Sequence, residues 1–141
     1  MKTLIVYYSL DGNTDYAAQR IAKKIKADLL RLETVKPYRR GMVKFLSGGR
    51  SAMRKEKPAL QKYDVDLNQY DRIVLGFPVW ASNVAPPMRT FVTENRARLH
   101  RKELAVFLCQ GGRGAEKALE KLKRTIGVAS FDLEAVFIAP K

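Results

Sequence analysis

The sequence predicts an α/β domain: a doubly wound, five-stranded parallel sheet with helices on its faces. Three observations carry this reading. Short apolar runs rich in β-branched and aromatic residues alternate with stretches of helical periodicity. A polar, Gly-containing turn, Ser9-Leu10-Asp11-Gly12-Asn13-Thr14, joins the apolar run Leu4–Tyr8 to an amphipathic stretch. The 141 residues suit one domain, spanning 1–141, that can bury a real core, and no repeat or low-complexity linker interrupts them.

The elements follow in order. Thr3–Tyr8 reads as a buried strand, and Thr14–Lys26 as a helix with Ala18, Ile21, Ala22 and Ile25 on one face. A second strand is expected over Asp28–Glu33. The next stretch, Val35–Asp66, far exceeds the usual loop of about 4–6 residues, with room for a helical turn or two around Val43, Phe45 and Leu46 before Gly48-Gly49 breaks it. Further strands are expected over Asp71–Phe77, Leu104–Cys109 and Leu133–Ile138. Helices are expected over Pro87–Asn95, which Pro86-Pro87 would start, and over Ala115–Thr125.

Right-handed crossovers put the first helix on one sheet face and the later ones on the other. After the last strand only Ala139, Pro140 and Lys141 remain, so the sheet is expected to lack a closing helix on the first face. One helix is then left to cover five strands. Val74, Val106 or Phe107, and Val136 or Phe137 are accordingly expected to lie open to water and to pair two copies as a homodimer through the uncovered face. A truncated product, or cover from a different chain, is the alternative.

Composition excludes several classes. No apolar run approaches the roughly 18 residues that span a bilayer, and the N-terminal run lacks a small-residue cleavage site, so it reads as a strand and not as a signal peptide. The single Cys109, at the end of an apolar strand, suits a reducing cytoplasm and reads as a buried structural thiol. With one His and one Cys there is no cluster to hold a metal. His100 sits among Arg98, Arg101 and Lys102 and reads as a surface residue. No catalytic nucleophile with base and orienting acid emerges around Ser9, and no spaced carboxylate pair suggests glycoside hydrolysis.

Charge is the unexpected feature. The formal net charge is +13, and between Lys36 and Lys62 nine basic residues face only Glu56, a local net of +8. One reading is a solvated loop kept soluble by charge; the other is a docking surface for an acidic protein, anionic lipid or nucleic acid.

The Ser9–Thr14 turn carries the most specific chemistry. A turn from strand to helix N-terminus offers backbone N–H groups, the positive end of the helix dipole and the hydroxyls of Ser9 and Thr14, which together make a phosphate cradle. It is neither a P-loop nor a dinucleotide fingerprint.

The hexapeptide resembles the S/T-x-T-G-N-T phosphate loop of flavodoxins, with Asp11 where many members carry a hydroxyl. Residues 71–91, D-R-I-V-L-G-F-P-V-W-A-S-N-V-A-P-P-M-R-T-F, resemble the third strand and flavin-ring loop of the same family. Residues 105–118, A-V-F-L-C-Q-G-G-R-G-A-E-K-A, resemble more weakly its fourth strand and second ring loop. The matches stand in order and cover nearly the whole chain. The resemblance implies strand order 2-1-3-4-5, flavin mononucleotide (FMN) as cofactor, and a site beyond the ends of the first and third strands. It implies that Ser9, Leu10, Asp11, Gly12, Asn13 and Thr14 hold the phosphate. Pro78, Val79, Trp80, Ala81 and Ser82 would meet one side of the ring, and Gln110, Gly111 and Gly112 the other. Trp80, the single Trp, would contact or flank the ring; the plainer alternative is packing under the loop.

The implied function is electron transfer between redox protein partners; that these are acidic is one reading of the basic charge and not of the resemblance. Two rivals stand beside it. One is a flavin-dependent oxidoreductase of the quinone or protoporphyrinogen type, in peripheral contact with a membrane. The other is a basic binding module for nucleic acid or an acidic partner, although nothing resembles a base-reading module.

Overall fold

Apolar strands of five to eight residues, each buried on both faces, form the centre of the molecule: β1 (Thr3–Tyr7), β3 (Arg72–Pro78) and β4 (Glu103–Gln110). Shorter or more exposed strands flank them, β2 (Asp28–Arg31) and β5 (Leu133–Ile138). The computed structural model describes residues 1–36, 57–110 and 114–138. All strand pairs are parallel, and the order is β2-β1-β3-β4-β5. Helices α1 (Asn13–Ile25), α2 (Pro86–Glu94), α3 (Arg96–Leu99) and α4 (Ala115–Ile126) connect them. The expected strand order and alternation hold, with element ends displaced by a residue or two. The short α3 was not anticipated. The turns expected around Val43, Phe45 and Leu46 lie outside the described residues.

The faces divide as chirality requires. On one, Met88, Phe91 and Val92 of α2 and Ala118, Leu119, Leu122 and Ile126 of α4 pack with Leu4, Val6, Ile73, Leu75, Phe77, Val106 and Leu108. On the other, Ala17, Ala18 and Ala22 of α1 pack with Ile5, Tyr7, Val74, Ala105, Phe107 and Cys109.

This second face corrects the expectation of a broadly open sheet. Val74 is 6% exposed, and Val106 and Phe107 are each 2% exposed. Val106 points to the α2/α4 face. The small side chains of α1 let it lie close to the sheet and touch every strand from β2 to β4. The Phe107 ring lies over Gly76, where an added Cβ would stand 2.1 Å from the ring. Phe107 also meets Phe137 edge to face at 6.2 Å. A notch on β3 thus lets an aromatic from β4 lie flat against the sheet beside α1. What stays open is β5, with Leu133, Val136 and Ile138 exposed, and a groove of about 1440 Å³ along the flank of α1 that reaches Phe137.

After β2 the chain crosses itself at Thr34 and Leu60, where Val35 N–H donates to Ala59 O (2.9 Å) and Gln61 N–H to Glu33 O (2.7 Å). Among the described residues no helix is long and apolar enough to cross a membrane.

Candidate functional site

Both loops named from the sequence leave the carboxyl ends of adjacent strands. Ser9–Thr14 follows β1 and Val79–Ser82 follows β3, with β1 and β3 in register from Thr3/Arg72 to Tyr7/Gly76. Tyr8 N–H donates to Gly76 O (3.0 Å), so pairing continues to the start of the first loop. Val79 N–H donates to Cys109 O (2.9 Å), which brings the end of β4 beside them.

The first loop turns into α1 at Gly12, whose φ of 97° lies in the left-handed region that suits glycine. Gly12 N–H donates to Ser9 Oγ (3.2 Å), leaving the Ser9 O–H as a donor. Asp11 bends back on its own loop: Oδ1 accepts from Asn13 N–H (3.0 Å) and Oδ2 from the Asn13 side-chain amide (3.1 Å). A carboxylate is thus placed at an N–H that a bound anion would use.

Thr14 is the telling residue. It is fully buried at the start of α1, and its Oγ1 has no hydrogen-bond partner. The Cys109 thiol interacts with that hydroxyl without reaching hydrogen-bond geometry, and sulfur is a weak partner. Cys109 is buried as expected, and burial pushes its thiol up, the Thr14 contact acting in the opposite direction. An unpartnered buried hydroxyl costs about 1–3 kcal/mol. At a helix N-terminus, an anion at the loop would remove this cost.

The surroundings of the loop come from residues that the sequence reading missed. Asp15, in the first turn of α1, accepts from the Tyr7 hydroxyl (2.6 Å) and pairs with Arg31 of β2 (3.6 Å). Arg31 also donates to Ser9 O (3.3 Å) and pairs with Glu33 (3.3 Å). Burial, reinforced by Asp15, raises the Tyr7 phenol well above its ordinary range. The Tyr8 phenol is pushed up to about 12, by burial first and by the charge of Glu33 second. Both tyrosines are neutral at physiological pH. No local motif marks Arg31, because only the β1–β2 register brings it to the loop.

The second loop is a tight turn. Asn83 N–H donates to Trp80 O (2.9 Å), and both central residues, Ala81 (φ 51°) and Ser82 (φ 63°), are left-handed. Trp80 is only 7% exposed and meets Tyr8 edge to face at 5.8 Å. Val79, Ala81 and Ser82 remain partly exposed, whereas Pro78 is buried. Gln110, at the end of β4, accepts from Ala115 N–H (3.2 Å) and so caps α4. Gly111 and Gly112 lie outside the described residues.

His100 is exposed, and its Nε2 lies 2.6 Å from Ile126 O at the C-terminal end of α4. Among the described residues no group of three or more His, Cys, Asp or Glu side chains is arranged to hold a metal ion.

The Flavodoxin family model matches residues 2–135. Among solved structures, a flavoprotein from Lactobacillus acidophilus in complex with FMN superposes with a TM-score of 0.81 at 25% identity, covering 96% of this chain and 92% of that one. The apo form of the flavoprotein from that organism gives 0.75 at 25% identity, covering 96% of this chain and 91% of that one. A flavodoxin from the domain Archaea, at 22% identity and a TM-score of 0.56, shares the fold over 98% of this chain and 85% of its own. A search of the curated proteins returns no match.

Proposed function

The chain belongs to the flavodoxin family, and on that premise we propose that residues 1–141 form one FMN-binding domain that transfers electrons between redox protein partners in the cytoplasm. The observation that carries the reading is the Thr14 hydroxyl, buried and unpartnered at the N-terminus of α1. That hydroxyl and the Ser9 O–H would donate to a bound phosphate, next to a left-handed Gly12 turn. The FMN complex of the similar Lactobacillus acidophilus protein supports the same ligand.

FMN, once bound, supplies the redox chemistry, taking up and releasing one or two electrons. The chain's own residues hold and shape. Thr14, Ser9 and the loop amides fix the phosphate end, with Leu10, Asp11 and Asn13 shaping the loop. Arg31 braces the loop from outside by holding Ser9 O. The Val79–Ser82 backbone would meet one side of the ring, with Trp80 packed behind that turn on Tyr8, and Gln110 at the end of β4 would approach the other side. The formal charge of +13 supports docking to partners of acidic surface.

Titration of the purified protein with FMN and with riboflavin, followed by flavin absorbance and fluorescence, tests this. FMN is expected to bind with a perturbed spectrum, and riboflavin, lacking the phosphate, about tenfold or more weaker. Equal affinity removes the phosphate cradle; no spectral change with either removes the flavin reading.

A further inference from the structure

The turn at Trp80–Asn83 is held in a backbone conformation that its own residues disfavour. Two consecutive left-handed residues make the type of turn normally filled by Asn-Gly or Gly-Gly, yet here they are Ala81 and Ser82. Each carries a Cβ that opposes positive φ. The turn's own hydrogen bonds are local: Asn83 N–H to Trp80 O and Asn83 Nδ2–H to Ala81 O (both 2.9 Å), with a longer Trp80 N–H to Asn83 O (3.4 Å).

The outside support comes from α4. Lys121 Nζ donates to Ser82 O (3.2 Å) and to Asn83 Oδ1 (2.6 Å), from a half-buried position across 38 or more residues of sequence. The same helix begins at Gly114, where an added Cβ would stand 2.9 Å from Ser82 Cα. The Lys121 ammonium therefore grips both the strained carbonyl and the side chain that closes the turn. A charged donor makes these bonds stronger than neutral ones.

We propose that Lys121 is a positioning residue for the ring side of the site, clamping the Trp80–Asn83 turn in its left-handed form before any ligand arrives. Its functional meaning rests on the FMN reading, but its structural content does not. Removal of the ammonium frees Ala81 and Ser82 to relax toward negative φ, which moves the backbone offered to the ring and loosens the contact between Trp80 and Tyr8. Gly at position 81 tolerates positive φ without help, so it makes the clamp dispensable.

The test compares wild type, Lys121→Met, Lys121→Arg and the double variant Lys121→Met/Ala81→Gly. Emission and near-ultraviolet circular dichroism of the single Trp80 are read in the absence of flavin; FMN affinity is then read by titration. In Lys121→Met the Trp80 emission moves to the red, and FMN binds about tenfold weaker. Lys121→Arg keeps the parent spectrum and most of the affinity, and the double variant regains both. A Lys121→Met protein with the parent spectrum and affinity overturns the proposal, as does a loss that Ala81→Gly fails to restore. Should Lys121→Met not fold, Lys121→Gln, an uncharged donor, must show an intermediate red shift; the parent spectrum there is equally fatal. If wild type binds no FMN, the functional reading falls while the Trp80 comparison still decides the clamp.

Discussion

The loops after β1 and β3 lie side by side at one end of the sheet and are built on opposite plans. In the first, the left-handed position is filled by Gly12, and a buried hydroxyl, Thr14 Oγ1, is left without a partner. In the second, left-handed positions are filled by Ala81 and Ser82, while Asn83 and Lys121 bond the turn closed. The first loop is comfortable in its backbone and unsatisfied in its polar groups. The second is the reverse. A site assembled this way takes its binding energy where donors are held open and its shape where strain is held by neighbours.

The sharpest way to break this contrast is Thr14→Val. Loss of the hydroxyl is expected to weaken FMN binding by about 1.5–3 kcal/mol, the range for a bond to a charged group. The same change raises the melting temperature of the flavin-free protein, since an unsatisfied buried oxygen is gone. Calorimetric titration and thermal melts measure the two effects. A variant that loses stability together with affinity shows Thr14 to be a packing residue and not a ligand donor.

Exchange of the two plans comes next in size. Gly12→Ala puts a Cβ at positive φ and is expected to cost about 1–2 kcal/mol of stability. Ser82→Gly removes one and is expected to gain up to about 1 kcal/mol, less the extra chain entropy of glycine. Urea denaturation of both variants decides: if Ser82→Gly destabilises, the second turn is not strained.

The smallest expected effect belongs to Asp11. Its carboxylate occupies the Asn13 N–H and would add negative charge beside the proposed place of the phosphate. Asp11→Ser is expected to tighten FMN binding by about 1 kcal/mol, the Coulomb energy of two charges some 4 Å apart under water-like screening, and the gain shrinks as salt rises. Titration at low and high ionic strength shows whether affinity rises; unchanged affinity means that the carboxylate swings clear of the ligand.

What the sequence made legible divides along the same line. The alternation of elements, the strand order and both loops could be read because each is encoded locally, as an apolar run, a helical period or a turn residue. What depends on register could not. The burial of Phe107 over Gly76 follows from the pairing of β3 with β4, and two residues 31 apart in the chain give no sign of it. Neglect of that notch produced the expectation of an open face at Val74 and Phe107. Arg31 and Lys121 were passed over for the same reason: each reaches its loop from another element. The pairing of Trp80 with Tyr8 was illegible for the same reason, since the two rings meet only because the ends of β1 and β3 lie side by side.

One consequence follows from the position of β5 at the rim of the sheet. It bonds to a single neighbour, whereas β1 and β3 are bonded on both sides, and three of its six residues are exposed hydrophobics. In amide hydrogen exchange, its N–H groups should open at lower free energy than those of Ile5 or Leu75. On this basis the edge is expected to open by sub-global unfolding while β1 and β3, which carry the proposed site, stay paired. Exchange rates along β5 and β3 would read out two separate stabilities in one chain.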